Sequence, residues 1–460
     1  MIYTTLLMVS LFTSLSYGEN WPTWRGMHNN GLASSDAAPP LTWSESKHIK
    51  WKVKLEGKGN STPIVWGNKL FYQTSINTVS KDHNSTAGQN EKSSPPENRR
   101  RGKGDRKKGN GERKGRRGGS KHERPAPTDI HHFDIVCKNL DTGKTVWQKT
   151  VNAVVPISGH HKDNTYASYS PVTDGKHVWC NFGSYGIHCY DINGNHVWTK
   201  DLGTMKTRNS FGEGSSPALK DNILIIVMDQ EAQSKIVALN KTTGEIVWEH
   251  QRDELTNWTT PVIIEVDKKQ QVIVNGGKQT MAYDLETGKT IWTCSGQTNN
   301  VVPTPVVGFG NVYCTSGFRG TALFAIALGK KGNLSDTRAV KWSVRDGKTT
   351  PYVPSPVLYK EQLYVLSSNT GKVSCYNAQT GREHYIKKNL GIFGIYASPV
   401  GANKRIYFVG REGKTTVIKN DTKFEIVATN ILDDAFNASP VVVGNQLLLK
   451  GEEHLYCIAE

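Results

Sequence analysis

The densest run of chemistry-bearing side chains is His160-His161-Lys162-Asp163-Asn164-Thr165-Tyr166. It offers imidazole, amine, carboxylate, amide and phenol in one stretch. Adjacent histidines rarely ligate one metal, and no second Cys/His/Asp cluster completes a site, so no metal is expected. His131-His132 lies upstream without a patterned relation to it. A second set is marked by position: Asn, aromatic or acidic residues stand just before successive Ser-Pro or Thr-Pro steps, as in Gly59-Asn60, Glu213-Gly214, Asn257-Trp258, Asn299-Asn300 and Phe436-Asn437. Together these give the candidate binding residues His160, Lys162, Asn164, Tyr166, Glu213, Asn257, Trp258, Asn300, Tyr352, Tyr396 and Asn437. Amide and aromatic groups brought to one point suit a small polar ligand or a peptide. The plainer reading is that Asn caps turns and the aromatics fill a narrowing space. For catalysis only Glu213, Asp163 and His160 present themselves. They form no base–nucleophile pair, and no catalytic residue is assigned.

The elements that would position these residues follow from internal repetition. Ser/Thr-Pro followed by β-branched residues recurs at Pro63, Pro171, Pro217, Pro261, Pro305, Pro356, Pro399 and Pro440. After the first interval the prolines stand 46, 44, 44, 51, 43 and 41 residues apart. That is the period of a propeller blade. Proline suits the first residue of a strand, where its missing N–H breaks no ladder bond. A second alternating strand follows, such as Leu363-Tyr364-Val365, and a third runs into an Asp/Asn-x-x-Thr-Gly turn, as in Asp284-Leu285-Glu286-Thr287-Gly288. Glycine supplies the positive φ of that turn.

Four residues beyond the turn glycine stand Trp147, Trp198, Trp248 and Trp292, with Trp342 ending the corresponding strand of blade five. Each is expected to dock against the neighbouring blade. Blades six and seven carry Tyr385 and Val427 at that place. The last repeat supplies only three strands before the sequence ends, whereas Ile49-Lys50-Trp51-Lys52-Val53 precedes the first Ser/Thr-Pro step at the interval of an outer strand. The expectation is an all-β, eight-bladed β-propeller of four-stranded antiparallel blades, closed by the N-terminal strand with Trp51 as its docking residue. Loops entering the Ser/Thr-Pro strands, and the turns between second and third strands, then share one face, called the top here.

The repeat Ala-x-Asp-x-x-Thr-Gly-x-x-x-Trp resembles that of PQQ enzymes and spans essentially Ile49 to Glu460. With Trp21-Pro22-Thr23-Trp24-Arg25-Gly26 ahead of it, the chain resembles the PQQ-like β-propeller proteins abundant in planctomycete-type bacteria, and more distantly the outer-membrane assembly factor BamB. The resemblance implies a scaffold more than an activity. In quinoprotein dehydrogenases the quinone sits in the channel over a vicinal Cys-Cys disulfide with a calcium ion and a catalytic Asp. No two cysteines are adjacent in this sequence, so no cofactor is expected.

Residues 1–18 read as a secretory signal, with an apolar stretch around Leu6-Leu7-Met8-Val9 and cleavage expected after Gly18. The stretch is too short to span a bilayer. An extension (19–48) and the propeller (49–460) follow. Seven cysteines in an exported chain invite disulfides, yet Cys137, Cys189, Cys375 and Cys457 share one repeat position with Ala238 and Ala282, as expected of small core residues. A cross-strand Cys180–Cys189 bond is the single pairing left open. Within blade one, residues 77–131 form an insert containing Arg99, Arg100, Arg101, Arg106, Lys107, Lys108, Arg116 and Arg117. From Glu91 to Arg124 it holds 14 Lys/Arg against 5 Asp/Glu, most of the chain's net charge of +16. Nearly devoid of apolar residues, it is expected to be disordered. It either attracts polyanions or serves as a solvated tether. It has no aromatics to stack on bases, so no specific nucleic acid is expected. The functional expectation is an exported, monomeric binding or assembly scaffold whose partner is a protein or an anionic envelope polymer. The alternatives are a divergent quinoprotein oxidoreductase, another enzyme in the channel, or a BamB-like assembly component.

Overall fold

Short runs of β-branched and aromatic residues, bounded by turns, form antiparallel strands throughout the chain. The computed structural model describes residues 20–78, 123–345 and 349–460. The expected signal at 1–18, and the basic residues from Arg99 to Arg117, lie outside the described residues. Eight sheets make an eight-bladed β-propeller, each built on four antiparallel strands that run in sequence order from the channel outward in all but the last blade. Blade four gains a fifth strand, because Gly332–Asn333 from blade five pairs in parallel with its outer strand, Thr290–Ser295.

Closure is visible in the last sheet. Val441–Val443, Gln446–Lys450 and His454–Ile458 are completed by Ile49–Lys54, with Trp51 opposite Cys457 and Val53 opposite Leu455. Blade one's long central strands, Lys69–Asn77 and His131–Asn139, stay paired up to Asn77 opposite His131. The insert therefore leaves and re-enters at the top edge of that blade.

One cross-strand pair repeats around the ring. The small residue of the third strand faces the large one of the fourth: Cys137–Trp147, Cys189–Trp198, Ala238–Trp248, Ala282–Trp292, Ala325–Trp342, Cys375–Tyr385 and Cys457–Trp51. The indole then reaches the next blade. Trp51 donates to Leu140 O, Trp147 to Ile192 O, Trp198 to Lys241 O, Trp248 to Leu285 O and Trp342 to Ala378 O, at 2.9–3.3 Å. The turn glycine and the Trp of the preceding blade are one feature: a Cβ on Gly244 would lie 2.7 Å from the Trp198 ring. Trp292 is fully buried, but its N–H has no acceptor among the described residues. In blade seven the position facing Val417 is Ala428, not Val427, because the turn after Val417 is one residue longer than in most blades. All seven cysteines are free and buried. Cys180 faces His188 and Cys189 faces Trp179, so the two thiols point to opposite sides of blade two, one toward blade one and one toward blade three.

Each Ser/Thr-Pro step closes a second, inner ring. The backbone N–H of Thr62 donates to Ser170 Oγ, that of Ser170 to Ser216, and so on through Thr260, Thr304, Ser355, Ser398 and Ser439, whose N–H returns to Thr62. All eight bonds are 2.9–3.3 Å long and run in the same direction. Proline has no N–H to offer, so the hydroxyl residue before it makes the link between blades.

Residues 20–33 occupy the channel beneath this girdle. Trp21 pairs with Val65, Pro22 O accepts from Thr173 N–H, and Gly31 O accepts from Gly401 N–H. Arg25, 1% exposed, donates to Pro356 O at 2.6 Å, Pro399 O at 3.2 Å and Asn30 O at 2.9 Å. Burial without a carboxylate partner pulls its pKa down to about 9. Gly31, at φ +76, leaves room for that guanidinium: a Cβ there would stand 2.6 Å from it.

Candidate functional site

The girdle hydroxyls, the loops above them and Trp24 of the plug enclose a cavity of about 400 Å³ that opens to the top. All eight Ser/Thr hydroxyl residues line it. Each hydroxyl already accepts a backbone N–H, so its own proton is free to donate inward. Above the girdle the wall is two-sided. Phe211, Trp258, Phe318, Tyr352 and Tyr396 come from the loops of blades two to seven, and Asn60, Asn164 and Asn437 from the opposite arc. Trp258 is fixed by its indole N–H on Gly212 O at 2.7 Å and lies tilted against Phe211 at 6.4 Å. Phe318 and Tyr352 pack at 5.1 Å.

Two carboxylates line the cavity. Asp163 accepts from Tyr396 Oη and Arg411, both at 2.9 Å, and its own N–H donates to His161 Nδ1 at 3.2 Å. Burial alone would raise this carboxyl, but Tyr396 and Arg411 outweigh it and hold the pKa below the usual range. Burial and this same bond push Tyr396 up to about 12, while Arg411 also lies 4.5 Å over its ring. The bonds tie the loop between blades one and two to blade seven, bridging the funnel mouth. Glu213 accepts from Tyr169 Oη at 2.7 Å, Ser184 N at 2.9 Å and Ser184 Oγ at 2.5 Å. Loss of hydration raises its pKa against those three bonds.

Of the candidates read from sequence, Asn164, Glu213, Trp258, Tyr352, Tyr396 and Asn437 line this cavity. His160, Lys162 and Tyr166 instead line a neighbouring pocket of about 610 Å³ between blades eight and one, together with Asn164 and Asn437. Lys450 stands in its wall, its amine bonded to Gly59 O, and burial pulls its pKa down to about 7. Asn257 and Asn300 line neither. Asn257 is spent inside blade four's loop, donating to Asp229, Glu254 and Leu255 O and accepting from Val301 N–H. Asn300, at φ 57, accepts from Arg208 at 3.3 Å. Wall residues outside the candidate set include Trp24, Asn60, His161, Asp163, Phe211, Phe318 and the girdle hydroxyls. The Ser/Thr beside every proline was the signal for the last of these.

The insert returns beside this mouth. Arg124 donates to Asn209 O at 3.1 Å and sits 5.0 Å over the Phe211 ring. Ile157, Leu255 and Phe393, in the loops that lead from one blade to the next, and Ile431, at the end of an outer strand, are exposed apolar residues, Phe393 by 93%.

The wall does not fit the tricarboxylated quinone that the repeat's name suggests. It presents two carboxylates and no Lys or Arg. Every cysteine is buried in a blade core, and no cluster of three or more His, Cys, Asp or Glu suited to a metal occurs among the described residues.

Residues 131–387 match the family model described as outer membrane protein assembly factor BamB. No curated protein matches the chain. Among solved structures, BamB from Moraxella catarrhalis is similar over 73% of this chain and 95% of its own, at 14% identity and a TM-score of 0.51. The quinohemoprotein alcohol dehydrogenase from Comamonas testosteroni is similar over 95% of this chain and 80% of its own, at 9% identity and a TM-score of 0.60. At such identities these likenesses speak for the fold alone.

Proposed function

Because the chain belongs to the PQQ-repeat propeller family whose model is described as the outer membrane protein assembly factor BamB, we propose that it is an exported binding or assembly scaffold that works through its top face and central funnel. The observation that carries this reading is the asymmetry of the channel. The chain's own residues 20–33 fill it from below, while the top stays open and aromatic-lined. Apolar groups around a concave, hydrogen-bonding centre are what a protein partner buries. No described helix is long and apolar enough to cross a membrane. The basic insert supplies a second contact, with anionic envelope polymers, beside the same mouth.

The test is capture of partners from an envelope extract by the full chain and by three variants. F393S and W258A alter the top face, whereas F309S alters an exposed turn on the opposite face. A partner retained by the parent and by F309S, but lost from F393S or W258A, is the expected result. Capture indifferent to both top-face changes would overturn the proposal. Fractionation of the producing cell checks export, and a cytoplasmic pool of uncleaved chain would count against it.

A further inference from the structure

Resting on the reading of the funnel as a ligand site, we propose that its floor holds a single carboxylate, borne by an organic acid whose apolar remainder lies along the wall above. The floor is made of donors without acceptors. None of the eight girdle hydroxyl residues is more than 5% exposed, and each hydroxyl accepts a backbone N–H while donating to no acceptor among the described residues. Trp24 adds an indole N–H that is buried and equally without an acceptor. Buried donors left unpaired are costly. A carboxylate has about four lone-pair positions and no proton to place, so it answers several of them at once.

Charge separates a carboxylate from a neutral acceptor. Arg25 donates to the carbonyls of Pro356 and Pro399, the residues next to the girdle hydroxyls of Ser355 and Ser398, and its Nε has no acceptor. No acid offsets it, and a pKa of about 9 leaves it charged at neutral pH. Three more guanidiniums lie against rings that line the cavity: Arg124 at 5.0 Å from Phe211, Arg319 at 5.2 Å from Phe318 and Arg411 at 4.5 Å from Tyr396. Of the four, only Arg411 is ion-paired among the described residues, with Asp163. Glu213, the other carboxyl on the wall, is held by Tyr169 and Ser184 of blade two, and its burial favours the protonated form. The surroundings of the cavity therefore carry positive charge that this chain leaves unanswered, in a concave site that concentrates its field. One carboxylate on the floor meets that charge. A tricarboxylate would press two further charges against a wall without Lys or Arg. Val302, Val353 and Trp258 give the apolar remainder of the acid its contact.

Calorimetric titration of the full chain tests this with 3-phenylpropionate and with acetyl-alanyl-alanyl-phenylalanine, each beside its uncharged primary amide. The two acids stand for two sources of the carboxylate, a small organic acid and a protein C-terminus, and whichever binds assigns the source. Saturable binding of at least one acid is expected, with its amide at least about tenfold weaker. The affinity of the acid should fall as salt is raised, and that of the amide should not. W24F removes the unpartnered indole N–H and R319Q an exposed charge without an ion-pair partner among the described residues. Each should weaken the acid about threefold, and R319Q should leave the amide unchanged. Melting curves identify a variant that fails to fold, and R319Q then decides. Equal binding of acid and amide, or an acid affinity untouched by both variants, would overturn the carboxylate while leaving the funnel a ligand site. Failure of both acids to bind would overturn this inference, whereas the parent reading stands or falls on partner capture.

Discussion

Ser398 shows how much one hydroxyl does in this molecule. Its Oγ accepts the Ser355 N–H at 2.9 Å and its own N–H continues the girdle to Ser439 at 3.0 Å. S398A leaves the Ser355 N–H buried and unpaired, which costs about 1–3 kcal/mol. S398T keeps the acceptor, as Thr260 and Thr304 do in their blades, and should melt near the parent. Comparable losses in both variants would show that packing, not the bond, matters there. His188 gives the matching test in pH. It is buried, with Nε2 on Tyr185 O and Nδ1 on Thr199 Oγ1, both at 3.0 Å. Burial holds its pKa down to about 4. An unfolded histidine titrates near 6.5, so the folded state binds the proton less well. Stability is then full above pH 6.5 and falls as the pH drops toward 4, by up to ~3 kcal/mol. H188Q should flatten that slope of the melting temperature.

At the scale of the blade, the Trp and the turn glycine are an inter-blade joint. W248A should cost about 3–5 kcal/mol, because a buried ring and its bond to Leu285 O disappear together. W292F should cost less than W248F, since only the Trp248 N–H has an acceptor to lose. Equal costs for the two Phe variants would remove the hydrogen bond from the account of docking. The blade was legible in the sequence because its signals are periodic: proline, turn glycine and Trp recur at fixed offsets. The site was less so. Asn257 and Trp258 are neighbours in one loop, yet Trp258 lines the cavity and Asn257 is consumed by Asp229 and Glu254. Which of two adjacent loop residues faces the axis is set by loop length and by tertiary partners that no periodicity encodes. The proline signals a strand start, but the hydroxyl beside it accepts from the preceding blade, a partner outside its own repeat. Trp21 to Arg25 lie outside the repeat altogether, and their place in the channel left no periodic trace.

For the whole molecule, charge and closure are separable. Deleting residues 99–121 removes twelve Lys/Arg and two Asp/Glu but spares Arg124, which packs on Phe211. Melting should change little, while adsorption to anionic vesicles weakens and its salt dependence flattens as fewer counterions are released. Unchanged salt-dependent adsorption would leave the arm without that role. Deleting residues 19–56 removes both the plug and the outer strand of blade eight, and should abolish the cooperative melt seen by calorimetry. The same arrangement dictates a timetable. Ile49 meets Ile458, and Arg25 meets Pro399, so the first-made part of the propeller finds its partners only when the last strand has been synthesised. Contacts of such sequence separation slow folding, and until they form, blade eight keeps an unpaired edge and the channel stays uncorked. A partly synthesised chain is therefore a row of blades open at both ends, exposed to sheet-edge association for as long as its last strands are delayed.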